Sequence, residues 1–322
     1  MFQGAKSGGT LIRLASFDMQ KLVLPGIIVL IAVVSGMIEP RYWTAQNLVN
    51  LGRQISPLLI LAAGQSLTVI SGGLDLSVAA VLALSGICGV VVMNDFGMTA
   101  GIITMLLTGI AFGTFNGAII ARFKVSPFIA TLGTLSIARG LALMIAGGLP
   151  IYKMPEAFID IFGSGAVFGL PAGVIFALGT VIVFSVILRY TILGRYVYAI
   201  GSNTDAAFNS GVNVRAYTVL VYALSGLTAG VAAVVLTSYV AAAQPLAAQG
   251  LELQALAAVV VGGVALTGGQ GSMLNVFYGV VILGMLSNSL TMIGVSSFMQ
   301  TLAIGVVIVA AVILDQLRRS AN

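Results

Sequence analysis

The sequence contains no histidine, a single cysteine (Cys88), one tryptophan and nine acidic residues, and charged side chains make up only 7% of its 322 positions. Each scarcity excludes something. Without histidine and with one cysteine, no zinc site of the usual Cys/His kind can form, nor a Ser-His-Asp or Cys-His catalytic group. One cysteine also excludes a disulfide scaffold. Soluble domains carry roughly 25% charged residues, so 14 Lys and Arg with 9 Asp and Glu are too few to cover a soluble surface of this size. What is abundant is apolar. Hydrophobic residues reach 59% and the mean hydropathy is +1.12, which excludes disorder and leaves a helical integral membrane protein.

Long apolar runs separated by short polar breaks predict about ten spans, near 22–38, 55–72, 77–93, 99–121, 127–146, 168–188, 216–240, 253–269, 273–290 and 299–314. Each approaches the roughly 20 residues that cross the hydrocarbon layer. The third, eighth and tenth are short, and the eighth and ninth read as broken or re-entrant. The runs are continuous rather than alternating, which argues against an outer-membrane barrel. Lys6, Arg13, Lys21, Arg122, Lys124, Arg189, Arg195, Arg215, Arg318 and Arg319 fall on one side of this arrangement. Arg41, Arg53 and Lys153 fall on the other, with Arg139 inside a span. Basic loops mark the cytoplasmic side, so both termini are expected there. The net charge of +5 then reads as topology and contact with anionic lipid, and no basic stripe interleaved with aromatics suggests nucleic acid. The bases before the first apolar run mimic a signal peptide, but Ile38-Glu39-Pro40-Arg41 follows instead of a small-residue cleavage site, so a retained helix is expected. The hydrophilic stretches 39–54, 147–167 and 189–215 are too short to fold alone. Residues 1–322 therefore read as one transmembrane domain, with 1–21 a cytoplasmic segment. Tyr42 and Trp43 are expected to anchor at the outer interface.

No energy source of its own is visible. Gly4-Ala5-Lys6-Ser7 lacks the Gly-Lys pair and preceding strand of a phosphate loop. Of the nine acids, only Asp75 lies near a span in the manner of an ion relay. Energy is expected from a partner. The 189–215 loop contains a two-turn helix signal: Asn203 or Thr204 as cap, Asp205 at the positive dipole end, and Gly211 to end it in the left-handed conformation. Such a stub, with Ala206 and Ala207 on show, suits insertion into a groove of another protein, though an ordinary connecting loop fits the spacing equally.

Asp205-Ala206-Ala207-x-x-x-Gly211, following Gly194-Arg195-x-x-x-Ala199-Ile200-Gly201, resembles the cytoplasmic coupling loop of bacterial ABC importer permeases of the ribose/xylose/arabinose/galactose family. Three further stretches agree with that family: Gly72-Gly73-Leu74-Asp75-Leu76-Ser77; Asn116-Gly117 through Pro127 to Arg139-Gly140; and Ala257 through Gly263 to Leu266-Thr267-Gly268-Gly269-Gln270-Gly271-Ser272. Gln270 stands where a basic residue is expected, and Phe208 where relatives often carry one.

The resemblance implies an all-α, type II-like importer permease in the bacterial inner membrane, passing a monosaccharide or similar polyol. Its implied partners are a cytoplasmic ATPase with two nucleotide-binding domains, a periplasmic sugar-binding protein and a second permease copy or paralogue. The chain itself is expected to bind no cofactor and perform no covalent chemistry, with ATP and Mg used on the ATPase. The residues implied in coupling are Gly201, Asn203, Asp205, Ala206, Ala207, Phe208, Ser210 and Gly211. Another solute (a branched-chain amino acid, nucleoside or furanone) and an ion-coupled carrier using Asp75 and Arg139 remain alternatives.

Among polar residues within spans, Gln65, Asp75, Asn116, Thr131, Thr134, Arg139 and Asn288 are candidates for pathway or gating roles. Scattered amides and hydroxyls suit an uncharged sugar, yet such groups also hydrogen-bond between helices for roughly 0.6 kcal/mol each. Asp75 can equally cap the helix whose first turn holds Ser77, and Arg139 must snorkel, pair or face water. Gly109, Gly113 and Gly117, like Gly226 and Gly230, recur at the four-residue spacing that lets helix backbones approach closely.

Overall fold

The computed structural model describes residues 9–306 and 309, with side chains from Leu22 onward. Among these residues the chain is almost wholly helical. The helices are α1 (Gly9–Ile38), α2 (Ala45–Ile70), α3 (Val78–Phe96), α4 (Met98–Phe123), α5 (Pro127–Ala146), the single turn α6 (Glu156–Phe158), α7 (Ala172–Tyr190), α8 (Ile192–Ser202), α9 (Thr204–Asn209), α10 (Val214–Val240), α11 (Leu251–Val261), α12 (Met273–Met292) and α13 (Ser297–Val306). The pairing of Ala166–Val167 with Leu170–Pro171 is the one strand pair among the described residues. Six helices (α3, α4, α5, α7, α10 and α12) are long and apolar enough to cross a membrane. The chain is thus a multi-pass membrane protein.

Local chemistry sets the helix ends. Thr44, Asn213 and Ser272 each accept the backbone N–H three residues on, at 3.3, 3.1 and 3.3 Å, and so start α2, α10 and α12. Pro127 opens α5, where its missing N–H leaves nothing unsatisfied. The span over 253–269 is broken as its reading allowed: α11 stops at Val261, and Gly262 to Ser272 form a turn with four positive-φ glycines that no helix can continue through. The ninth is corrected, since α12 runs unbroken from Met273 to Met292. The region 189–215 holds two helices, α8 and α9, rather than one stub in a loop. The tenth span is described only as α13 and position 309; its remainder, residues 1–8 and the terminal bases Arg318 and Arg319 lie outside the described residues.

Helices α2, α3 and α10 form the centre, with α4 and α5 packed on α3, with α7, α11 and α12 on α2, and with α1 outermost on α12. From Ser56 to Ile70 every residue of α2 is buried. By contrast α4, α5 and α7 leave Ile103, Leu107, Phe128, Leu132, Ile182 and Val183 exposed, an apolar perimeter suited to lipid or a neighbouring subunit. Tyr42 departs from expectation. It is buried, and Trp43 alone is exposed, packed edge-on to Tyr42. Just before them the Arg41 guanidinium, 2.9 Å away, holds the Glu39 carboxyl at about 2.

The glycine repeats join α4 to α10 within the chain. A Cβ on Gly109 would strike the Gly226 carbonyl, and one on Gly113 would strike the Tyr222 carbonyl and stand 3.0 Å from Gly226 Cα. Lipid offers no hydrophobic drive between helices, so this close backbone contact is what binds them. Gly113→Ala is expected to lower the thermal midpoint in detergent, at the roughly 1–3 kcal/mol typical of overpacking. Gly133→Ala, where a Cβ meets open space, is expected to leave it unchanged.

Candidate functional site

Two sites emerge from the residues upward, one projecting and one buried, both near the same end of the bundle. The projecting one is α9. The Asn203 side chain accepts the Ala206 N–H at 2.9 Å, which resolves the cap between Asn203 and Thr204. Thr204 Oγ1 instead donates back to the Ile200 carbonyl at 2.9 Å, locking the corner between α8 and α9. At the far end Ser210 Oγ donates to the Ala206 carbonyl at 2.8 Å, and Gly211 turns away with φ +86°.

Burial sorts the residues of this corner. Asp205, Ala206, Asn209 and Ser210 are exposed, and Phe208 stands out with 68% of its surface accessible. An exposed phenyl ring on a helix bounded by caps at both ends is an apolar knob held in fixed geometry. Ala207 is a correction: it is 5% exposed and packs with Ile200 and Val212 above Tyr196 and Tyr217, because its position on the short helix faces back to α8. Gly201 also lies inward, where a Cβ would meet the Ile70 carbonyl and stand 2.5 Å from the Gly269 nitrogen.

The buried site surrounds the break between α2 and α3. Asp75, 1% exposed, accepts Ser77 N–H at 3.1 Å and Ser77 Oγ at 2.6 Å on one oxygen, and Ser225 Oγ of α10 at 2.8 Å on the other. The two hydrogen bonds from Ser77 tie Asp75 to the residue just before α3, without reaching the N–H groups of its first turn. Asn116 Nδ2 on α4 donates to Ser77 Oγ at 2.8 Å. Thr131 on α5 accepts Leu76 N–H at 3.2 Å, and Tyr222 Oη donates to the Leu74 carbonyl at 3.1 Å. Three helices, α4, α5 and α10, therefore converge on the unwound segment between α2 and α3, and side chains satisfy its Leu76 N–H and Leu74 carbonyl, as the membrane interior requires.

The other sequence candidates lie elsewhere. Gln65 is fully buried in α2, with neither amide atom hydrogen-bonded among the described residues. Thr134 donates to the Ala130 carbonyl of its own helix at 3.1 Å. Arg139 is half-buried, and its Nη1 donates to the Pro245 and Ala247 carbonyls at 2.8 and 3.0 Å. Its partner is thus the backbone of the α10–α11 connection at the opposite end, a pairing no sequence pattern announces. Ser225, Tyr222 and Asn47 are functional-group partners that the sequence reading missed. Only the glycine repeat on α10 lay near the first two.

Asn288 pairs with Asn47, the two amides exchanging hydrogen bonds of 3.1 Å in both directions between α12 and α2. Asn288→Ala strands a buried acceptor on Asn47, a loss of about 1–3 kcal/mol. Thermal unfolding in detergent is expected to show that drop, and an Asn47→Ala/Asn288→Ala double variant is expected to lose less than the two single losses summed.

Comparison with known proteins follows the same outline. Residues 47–312 match the family model described as branched-chain amino acid transport system / permease component. The chain is 39% identical to the ribose import permease protein of Bacillus subtilis, covering 92% of this chain and 93% of that one. It is 35% identical to the D-allose transport system permease protein of Escherichia coli K12, over 90% of each. It is 36% identical to the L-arabinose transport system permease protein of the same strain, over 92% of each. No solved structure matches the chain. With the family model spanning most of the helical bundle and these relatives spanning nine-tenths of the chain, the protein belongs to the branched-chain amino acid transport system / permease component family.

Proposed function

We propose that this chain is the membrane-spanning permease subunit of an ATP-driven importer for a monosaccharide or similar polyol, and that α9 is the element through which a cytoplasmic ATPase moves it. The observation that carries the reading is α9 itself: a rigid two-turn stub, capped at each end, presenting Asp205, Ala206, Phe208 and Ser210 outward while Ala207 anchors it. The sugar assignment is supported by relatives named for ribose, D-allose and L-arabinose, each at least 35% identical over nine-tenths of this chain.

In this reading about ten segments lie in the bacterial inner membrane, with both termini and α9 on the cytoplasmic side. The Lys and Arg distribution supports that orientation. ATP and magnesium are used on the ATPase and not on this chain. A second permease copy or paralogue shares the apolar perimeter with lipid, and the substrate passes between the two from a periplasmic binding protein. Gln65, Asp75, Asn116, Thr131, Thr134 and Asn288 are all buried within the chain, which supports structural roles and leaves most selectivity to the binding protein.

The test places a cysteine at Ser210 in a Cys88→Ser background. A membrane-impermeant maleimide is expected to label it from the cytoplasmic face only, and the ATPase partner is expected to protect it. Labelling from the periplasmic face would overturn the orientation and the coupling role together. Uptake of D-ribose, D-allose, L-arabinose and leucine by cells carrying the whole importer addresses the cargo. Uptake of leucine and of none of the sugars would refute the sugar assignment.

A further inference from the structure

We propose that a joint of three backbone segments passes the motion of α9 into the bundle, with Gly201 and Gly269 as positioning residues and the Tyr198 hydroxyl as its strut. This rests on α9 being the docking element. The three segments are the C-terminal turn of α2 at Ile70–Gly73, the end of α8 at Tyr198–Ser202, and the turn between α11 and α12 at Ala265–Ser272.

The contacts between them are made by main chain and one tyrosine hydroxyl. The Gly269 N–H donates to the Ile70 carbonyl at 2.8 Å. That same carbonyl lies against Gly201, with no room for a methyl group between them. A Cβ on Gly268 would stand 2.9 Å from the Gly201 carbonyl oxygen and from Gly72 Cα, and one on Gly269 would stand 2.8 Å from Ser202 Cα. Tyr198 Oη donates to the Gly271 carbonyl at 2.8 Å, bridging α8 to the other side of the same turn.

Stiffness is the physical consequence. A helix pressed through long side chains can shift while rotamers readjust, whereas backbone seated on backbone has no such slack and moves its neighbour or breaks contact. The driving side is rigid as well, because Thr204 and the Ile200–Ala207–Val212 cluster bind α8 and α9 into one corner. The driven side is connected to the membrane interior. The α2 turn runs on into the Asp75 segment, which grips α10 through Ser225 and Tyr222. The α11–α12 turn, closed by Ala265 N–H donating to the Gln270 carbonyl at 3.1 Å, ends at the Ser272 cap of α12. A push on α9 thus reaches α2, α10 and α12 through two bonded turns, and Gly201 is needed because nothing larger fits the seat.

The experiment reconstitutes the full importer in liposomes and measures sugar transported per ATP hydrolysed. The probe is whichever of D-ribose, D-allose and L-arabinose the wild-type complex takes up. Gly201→Ala is expected to retain the ATPase on co-purification while transport per ATP falls about tenfold, within the usual range of coupling free energies. Tyr198→Phe, which removes one hydroxyl and fills the same space, is expected to lower that ratio about threefold with docking intact. An unchanged ratio in Tyr198→Phe, and in Gly201→Ala when it assembles, would overturn the joint. So would loss of ATPase binding in Tyr198→Phe, since the hydroxyl would then only maintain the shape of α9. Should Gly201→Ala not assemble, Tyr198→Phe decides alone. Failure of the wild-type chain to bind any ATPase would refute the coupling reading itself, and the joint with it.

Discussion

Ala206→Trp and Phe208→Glu are each expected to cut ATP-driven sugar uptake by about two orders of magnitude, as removal of interface anchors worth roughly 2–4 kcal/mol does. Membrane insertion and the thermal midpoint are expected to stay at wild-type values. Both side chains point away from the protein, so neither change disturbs a contact within the chain. Trp at position 206 adds a bulky ring where a groove must close on a methyl group. Glu at 208 places a charge where a phenyl ring would be desolvated. Co-purification of the ATPase checks the loss, and retained ATPase with normal uptake would refute α9 as the docking element. Ala207→Trp is the informative contrast. Position 207 is buried beneath α9, so its substitution is expected to destabilise the α8–α9 corner and lower both stability and docking.

Replacing Asp75 is expected to have the largest effect on stability. Asp75→Ala leaves Ser77 N–H, Ser77 Oγ and Ser225 Oγ without their acceptor inside the bundle, at about 1–3 kcal/mol for each donor that finds no other partner. Little folded protein is expected in detergent extracts by size-exclusion chromatography. Asp75→Asn keeps the shape and one oxygen. That oxygen can still accept from Ser77, and the new amide can donate to the Ser225 hydroxyl, which accepts as well as donates. It is therefore expected to fold and to transport within a few-fold of wild type. If Asp75→Asn folds fully but abolishes transport, the carboxylate does more than hold the α2–α3 break. Equal stability of Asp75→Ala and wild type would refute the structural role.

The transmembrane character, six of the long helices and the short capped helix of the 189–215 region were legible from apolar runs and cap residues. The Asp205-to-Gly211 motif and three further stretches in order resemble the sugar importer permeases that the chain is similar to. The α4–α10 seam was legible in part, since glycines at four-residue spacing announce close backbone approach but not which helix approaches. Other features left no trace in local pattern. Ala207 and Ala206 are adjacent and chemically identical, yet one is buried and one exposed, because a six-residue helix lying on α8 has only one covered face. The break in the eighth span was legible for the opposite reason, because its glycines stand out against an otherwise apolar run. Gly263, Gly268, Gly269 and Gly271 all take positive φ and bend the backbone into a turn, whereas where the helix would stop, at Val261, was not announced.

Residue chemistry taken in order along the chain was sufficient to establish a membrane protein without histidine chemistry or an internal disulfide, because these follow from which atoms exist. It narrowed the start of α9 to two residues, since a cap acts over three residues, but placed the start of α2 ten residues late. It could not tell that Asp75 meets Ser225, that Arg139 reaches the carbonyls of Pro245 and Ala247, or that Gly201 seats on Ile70, contacts separated by 150, 106 to 108 and 131 positions respectively. Those partners are chosen by how helices cross. A polar group buried in a membrane protein bonds to whatever the packing brings within about 3 Å, and that identity is a property of the assembled bundle.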